Sequence, residues 1–170
     1  TIPSLHSYLS ADGDHLAKWE ARLGGRSKQR IGLVWSGNAE HKSDLDRSVA
    51  LADLVQYLPP EYQYVSLQKE VREADAAVLA SHPGILHFGT ELADFSDTAA
   101  LCAQMDLVIS VDTSVAHLAG ALGKPVWILL AFRPDPRWLI GRTDTPWYPS
   151  ARLFRKEAIG GWGGVLARMS

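Results

Sequence analysis

Cysteine, long apolar runs and excess positive charge are all scarce in this 170-residue sequence. Cys102 is its single cysteine, which excludes an intrachain disulfide and makes a cysteine-based zinc site a poor hypothesis. No apolar run approaches the ~20 residues that a membrane-spanning helix needs. Residues 1–30 are polar and mixed in charge, unlike a signal peptide. The net charge of −2 provides no basic field of the kind that attracts nucleic acid.

The remaining composition is that of an ordinary globular protein, with 46% hydrophobic and 21% charged residues. The length suffices for one domain with a substantial core. We therefore expect a cytoplasmic protein, at the inner face of the membrane or free of it, that binds no nucleic acid.

Short apolar runs alternate with helical patterns along most of the chain. Strands are predicted at residues 31–35, 62–67, 85–88, 107–111, 125–130 and 151–154. Helices are predicted at residues 15–23, 48–58, 70–81, 96–105, 114–122 and 162–169, with Ser48 and Ser96 as expected caps. Asp94 and Asp97, which flank a helix start, are also interpreted as capping residues. This alternation is typical of βαβ units and predicts an α/β, Rossmann-like doubly wound parallel sheet. Residues 1–30 are interpreted as a lead-in or inter-domain connector with a short helix, and residues 31–170 as the Rossmann-like domain.

In an open parallel sheet, ligands bind beyond the carboxyl ends of the strands, near the point where the strand order switches. The residues that follow each predicted strand are therefore candidate site residues. Polar groups follow four of the strands, at Ser36-Gly37-Asn38, Gln68-Lys69, Gly89-Thr90 and Asp112-Thr113-Ser114. We expect these groups to converge on one edge of the sheet.

The loop from Ser36 to Lys42 has the composition of a phosphate-binding loop, although plain solvated surface explains it equally well. Gly37 would let a backbone approach a phosphate closely, and neighbouring N–H groups would face the anion. Lys42 and Arg47 would add positive charge. The loop matches neither the dinucleotide fingerprint nor a Walker loop.

Two interpretations also fit the stretch Asp112-Thr113-Ser114, which lies between a predicted strand and a predicted helix. Any of the three side chains would cap the helix. Alternatively, the free N–H groups of the helix start would attract a diphosphate. His117 lies one turn into the helix, on the face of Ser114, and is either structural or part of the site.

Other polar and aromatic residues are more simply explained by surface or packing roles. Lys69, Glu70, Arg72 and Glu73 are interpreted as solvated charges. Trp138, Trp147 and Tyr148 lie in a loop rich in proline and arginine, where they either pack the loop or line a ligand pocket.

Four segments together resemble a bacterial glycosyltransferase group, the carboxyl-terminal domain of proteins similar to the lipopolysaccharide heptosyltransferases (glycosyltransferase family 9). They are IGLVWSGN (31–38), YVSLQKE (64–70), DFSDTAALCAQMDLVISVDTSVAHLAGALGKPVWILL (94–130) and RTDTPWYPSARLFR (142–155). Similar sequences occur behind tetratricopeptide repeats. The resemblance covers the chain from about residue 30 onward.

The resemblance implies one half of a GT-B fold, the half that binds a nucleotide-diphosphate sugar donor linked to ADP, UDP or GDP. It implies no cofactor or metal. It places the donor against Ser36, Gly37, Asn38, Lys42, Arg47, Gln68, Asp112, Thr113, Ser114 and His117, with His117 also a candidate for stabilising the leaving group.

The same resemblance implies a partner, an amino-terminal Rossmann-like domain that holds the acceptor and the general base, and tetratricopeptide repeats beside it. Alone, this chain is then expected to bind donor without transferring a sugar. The late loop Pro134-Asp135-Pro136-Arg137-Trp138 carries Pro136 where the family often has tryptophan. Two other functions therefore remain open, a degenerate module for nucleotide binding or partner docking, and a nucleotide-sugar epimerase of GT-B architecture.

Overall fold

The computed structural model describes residues 7–40 and 44–169, and its centre is a six-stranded parallel sheet. The strands are β1 (Arg30–Val34), β2 (Gln63–Ser66), β3 (Ile85–His87), β4 (Leu107–Val111), β5 (Val126–Leu130) and β6 (Ala151–Arg155). Their order is β3-β2-β1-β4-β5-β6, and every neighbouring pair is parallel. The predicted α/β, Rossmann-like doubly wound sheet is confirmed, and each predicted strand is present with small differences at its ends.

Seven α-helices occur in the described ranges: α1 (Gly13–Leu23), α2 (Asp44–Arg47), α3 (Leu51–Leu54), α4 (Glu73–Ser81), α5 (Phe95–Ala103), α6 (Ser114–Ala121) and α7 (Gly163–Ala167). Single 3-10 turns lie at Val55–Tyr57, Gly89–Glu91 and Pro136–Trp138. No helix in these ranges combines the length and the apolar character needed to cross a bilayer.

The helices cover both faces of the sheet, which explains why the strands read as continuous apolar runs. Side chains of α1, α5 and α6 pack on one face, around Trp19, Leu101 and Ala119. Side chains of α3, α4 and α7 pack on the other face. The two hydrophobic cores are therefore separated by the sheet itself.

Helix α1 belongs to the first of these cores, although it lies within the segment interpreted as a lead-in or connector. Asp12 caps its start, and Gly24, with φ of 70°, ends it as predicted. Trp19 is fully buried, and its indole N–H donates to the carboxylate of Asp97 at 2.9 Å. Lys18 donates to the same carboxylate at 2.6 Å, so Asp97 joins α1 to α5.

Two predicted helix caps are wrong. Helix α3 begins at Leu51, whose N–H donates to Asp75 at 2.9 Å, because the Ser48 hydroxyl is already bonded to Asp44. Helix α5 is capped by Asp94 instead of Ser96, since a carboxylate at that position reaches two N–H groups of the first turn. Between β1 and α3 the chain also forms the helical turn α2, which was not predicted.

The order of the strands reverses between β1 and β4. Residues 35–106 carry the chain outward through β2 and β3, after which β4 returns to pair with β1 on its other side. The loops that leave the carboxyl ends of β1 and β4 therefore diverge to opposite sides of the sheet. A crevice at this position is where doubly wound folds bind ligands.

Candidate functional site

Two clefts open at the carboxyl end of the sheet, one on each side of the start of α6. The larger has a volume of about 1090 Å³ and is bordered by the segments that follow β1, β2 and β4, together with the start of α5. The smaller, of about 620 Å³, lies between α6 and the loop that follows β5. Arg47, Thr113 and Ser114 border both clefts, so the two volumes meet at these residues.

Arg47 connects the loop after β1 with the turn after β4. Its Nη1 donates to the carbonyl of Asp112 at 3.1 Å, and its guanidinium lies directly against Gly37. A Cβ placed on Gly37 would come within 2.7 Å of the Arg47 Cζ atom. Glycine is therefore needed here so that Arg47 can approach, which is a different reason from the predicted approach of a phosphate.

The start of α6 carries no side-chain cap. Thr113 occupies the N-cap position with extended backbone, and its hydroxyl lies 3.1 Å from that of Ser110 instead of accepting from the helix. The interpretation that this stretch caps α6 through its side chains is therefore wrong. Ser114 and Val115 present the first turn of the helix to the larger cleft, where the positive end of the helix dipole favours an anion.

Gln68 holds the first loop in place. Its Oε1 accepts from the backbone N–H groups of Trp35 at 2.9 Å and Ser36 at 2.7 Å, and its Nε2 donates to the Ser36 hydroxyl at 3.0 Å. The side chain is buried, with 7% of its surface exposed, although it borders the larger cleft. Its amide is consequently committed to the protein itself.

Arg72 is a part of the site that the sequence interpretation placed among solvated charges. Its Nη2 donates to the buried carboxylate of Asp44, and to the carbonyl of Gly37 and the hydroxyl of Ser48 at 3.2 Å each. The guanidinium thus ties the Gly37 loop to α2 and also borders the larger cleft. The solvated interpretation is wrong for this residue, because a buried carboxylate comes within reach only in the fold.

An aromatic cluster surrounds His117 at the smaller cleft. The His117 ring stacks on Trp138 at a centroid distance of 5.1 Å, and its Nδ1 lies 2.9 Å from the Tyr148 hydroxyl. Trp138 is fully buried, and its indole N–H donates to Asp112 at 2.9 Å. Trp138 and Tyr148 therefore pack the late loop onto α6 around His117. This confirms the first of their two interpretations.

The surroundings of His117 lower the pKa of its imidazole, chiefly through burial. Burial lowers the pKa of His117; Asp112, whose Oδ1 is 3.8 Å from Nε2, opposes this effect, while Arg137 adds to it. Arg137 is itself paired with Asp135, and its hydrogen bonds lower the pKa of Asp135 to about 2. Arg133 borders the same cleft and has no hydrogen bond or ion pair with any residue in the described ranges.

One group of metal-ligand type occurs in the described part of the chain. His15, Asp94 and Asp97 bring ligating atoms within 4.8 Å of one another. The Asp97 carboxylate already accepts hydrogen bonds from Lys18, the Trp19 indole and the Ala93 N–H. These bonds account for its burial without an ion.

Comparison with known proteins relates this geometry to one family. Residues 90–156 match the sequence profile of glycosyltransferase family 9 (heptosyltransferase). The fold resembles the solved structure of E. coli ADP-heptose lipopolysaccharide heptosyltransferase II, with a TM-score of 0.66 and 17% identity over 95% of this chain and 49% of that one. It also resembles a glycosyl transferase of family 9 from Veillonella parvula, with a TM-score of 0.62 and 12% identity over 96% of this chain and 47% of that one.

This chain thus resembles glycosyltransferase family 9 in sequence over residues 90–156 and in fold over nearly its whole length. It is also 30% identical to the protein FlbA of Caulobacter vibrioides in an alignment of 178 positions, which covers 99% of this chain and 29% of FlbA. The chain thus spans about half of the two solved chains and less than a third of FlbA. The predicted resemblance and the predicted GT-B-related architecture are confirmed.

Within this family 9-like domain, nine of the ten predicted site residues border the two clefts. The larger cleft has Ser36, Gly37, Asn38, Arg47, Gln68, Thr113 and Ser114, and the smaller adds Asp112 and His117. Lys42, the tenth, lies outside the described residues. The stretch that contains Asp112 and His117 falls inside the segment that matches the family, whereas the loop after β1 falls outside it.

Proposed function

We propose that this domain binds the nucleotide-diphosphate sugar donor of a glycosyltransferase. The observation that carries the proposal is the start of α6, which is free of any side-chain cap, lies where two clefts meet, and has Arg47 beside it. Helix N–H groups and a guanidinium are the donors that a diphosphate requires. The proposal places the diphosphate at Thr113 and Ser114, between the two clefts.

The two clefts differ in character in a way that supports one orientation of the donor. The larger has apolar walls, including Leu67, Val71 and the exposed ring of Phe95, which suit a flat nucleobase. The smaller is lined mainly by polar and charged groups, which suit the hydroxyl groups of a sugar. The nucleoside is therefore assigned to the larger cleft and the glycosyl group to the smaller one.

In transfer, negative charge develops on the departing nucleoside diphosphate. The α6 N–H groups and Arg47 would stabilise that charge, and preorganised donors of this kind typically contribute a few kcal/mol each once water is excluded. A base near the acceptor hydroxyl is also required. We assign none to this chain and place the base, with the acceptor site, on a second Rossmann-like domain.

The test exploits the position of Ser114 as the first residue of α6. Proline is tolerated there, because the lost N–H has no partner inside the helix and the extended backbone of Thr113 is compatible with a following proline. Ser114→Pro therefore removes one anion donor and leaves the helix intact. Ser114→Ala is the matched control, since it removes the hydroxyl and keeps the N–H.

Calorimetric titration of the 170-residue chain with ADP, UDP, GDP and CMP is expected to show preferential binding of one nucleoside diphosphate. Ser114→Pro should weaken that binding roughly tenfold or more, since a hydrogen bond to a charged group contributes about 1.5–3 kcal/mol, and Ser114→Ala should weaken it less. A folded chain that binds none of the four would contradict the proposal and favour a degenerate or docking module.

A further inference from the structure

The two ring nitrogens of His117 have different surroundings. Nδ1 faces the interior and lies 2.9 Å from the hydroxyl of Tyr148. Nε2 faces the smaller cleft, 3.4 Å from Nη1 of Arg137 and 3.8 Å from Oδ1 of Asp112. The stacked indole of Trp138, 5.1 Å away between centroids, holds the ring plane in this orientation.

These surroundings select one tautomer of a neutral ring. A guanidinium is only a donor, so the Nε2 atom that meets Arg137 carries the lone pair, and the proton is on Nδ1. Nδ1–H then donates to the oxygen of Tyr148. Burial raises the pKa of Tyr148, and Tyr8 adds to the effect, so the phenol stays protonated. A lone pair of its neutral oxygen is then available to Nδ1–H.

The backbone of α6 is shaped to admit Tyr148. Gly120 lies one turn after His117 on the same helix face, and a Cβ at this position would come within 2.6 Å of the Tyr148 Cδ1 atom. The phenol ring therefore lies directly on the helix backbone. Its hydroxyl reaches Nδ1 because no side chain separates the ring from α6.

We propose that Tyr148 positions His117 in the Nδ1–H tautomer, so that Nε2 accepts a hydrogen bond from a hydroxyl of a sugar in the smaller cleft. This assignment rests on the proposed function, which places the glycosyl group there. An Nε2 atom that carries a lone pair has no proton to donate to a phosphate oxygen. The diphosphate is therefore left to the start of α6 and Arg47, and His117 serves to recognise the sugar.

The charged groups around the ring determine whether it stays neutral. Asp112 and Asp135 favour a proton on His117, whereas Arg137 and burial oppose it, and the net effect lowers the pKa of His117. Tyr148, the remaining titratable neighbour, stays protonated because its pKa is raised. A neutral ring with a fixed tautomer is therefore expected at pH 7.

The first experiment observes the ring directly. Nitrogen-15 NMR of the His117 side chain in the 170-residue chain is expected to show a protonated Nδ1 and an unprotonated Nε2 at pH 7. Tyr148→Phe should move the ring towards the other tautomer, because Nδ1–H loses its acceptor. Tyr64→Phe is the matched control: it removes a hydroxyl that donates to the Pro59 carbonyl at 2.7 Å, on the other face of the sheet.

The second experiment separates recognition of the sugar from recognition of the phosphates. Affinities are compared for UDP and UDP-glucose, ADP and ADP-glucose, and GDP and GDP-mannose. Tyr148→Phe is expected to reduce the gain in affinity that the sugar provides by about three- to tenfold, the effect of one misdirected hydrogen bond. Its affinity for the nucleoside diphosphate alone should stay within about twofold of the unmodified chain.

The outcomes separate this proposal from the one on which it rests. An imidazolium at pH 7, an Nε2–H tautomer, or a Tyr148→Phe spectrum identical to that of the control would overturn the role of Tyr148. Equal weakening of UDP and UDP-glucose would overturn the sugar contact. Failure of every nucleotide to bind, with the ring signals as expected, would overturn the donor site and the sugar contact, and would support the control of the tautomer by Tyr148.

Discussion

The two clefts that meet at the start of α6 differ in what their polar side chains contact. In the larger, the polar side chains of Gln68 and Arg72 bind the protein's own backbone, and so they shape the cavity more than they face it. In the smaller, the ring edge of His117 faces the cavity, as does Arg133, which has no partner among the residues that the structure describes. The difference shows that a polar residue after a strand has one of two tasks, to hold a loop or to meet a ligand.

Trp138→Ala would break the smaller cleft and should have the largest effect. The side chain is fully buried and donates to Asp112, so its removal leaves a cavity and a carboxylate without its partner. We expect a loss of about 3–5 kcal/mol in the free energy of unfolding, measured by urea denaturation. Trp147→Ala is the control, since that ring is 41% exposed, and a loss as large in the control would contradict the packing described for Trp138.

Gly120→Ala tests the same cleft through the backbone. The added methyl group would overlap the ring of Tyr148, which cannot yield as the tip of a flexible side chain would. Overpacking of this kind costs about 1–3 kcal/mol, and the thermal midpoint should fall accordingly. Gly164→Ala in α7 is the control and should raise the thermal midpoint, because no atom lies within 4 Å of its added Cβ and alanine favours a helix. Equal midpoints for the two variants would disprove the contact between Gly120 and Tyr148.

The fold was more predictable than the site, for a physical reason. The strands could be located because burial on both faces makes each one a continuous apolar run, as at 107–111 and 126–130. The positions of the clefts also followed, since parallel strands end at one edge and Ser36 and Thr113 lie two residues beyond the ends of β1 and β4. These inferences use only local pattern and topology.

The internal partners of the site residues could not be predicted in the same way. Arg72 and Asp44 are 28 positions apart, and the chain offers several acids and bases that could have paired with either one. Trp138 and Tyr148 are separated from His117 by 21 and 31 positions, respectively. Contacts between loops depend on tertiary packing, which leaves no periodic signal in the sequence. The requirement for glycine at position 37 illustrates this, because the side chain that lies against it is that of Arg47.

Gly37→Ala tests the larger cleft and should leave stability nearly unchanged. The backbone of Gly37 has no positive φ, and the group that the new Cβ displaces is the end of the flexible Arg47 side chain. A change within about 1 kcal/mol is expected, together with a several-fold weaker affinity for the preferred nucleoside diphosphate, because Arg47 loses its position. Gly13→Ala, whose added Cβ meets no atom within 4 Å, is the control for both measurements. Unchanged affinity in Gly37→Ala would show that Arg47 does not contribute to the binding of the diphosphate.

The smallest expected effect is a dependence of stability on pH that originates in the smaller cleft. The pKa of His117 in the folded chain lies below the model-peptide value of 6.5, so the unfolded chain takes up a proton first as the pH falls. Stability is therefore expected to decline from about pH 6.5 towards the lower pKa of the folded state, and to be independent of this group above that range. His87, whose pKa burial also lowers, acts in the same direction, whereas the raised pKa of the partly exposed His15 acts in the opposite one. Urea denaturation of the chain and of His117→Gln at pH 7.5 and about 5.5 isolates the contribution of His117. A variant that loses as much stability as the unmodified chain would show that folding does not lower the pKa of His117.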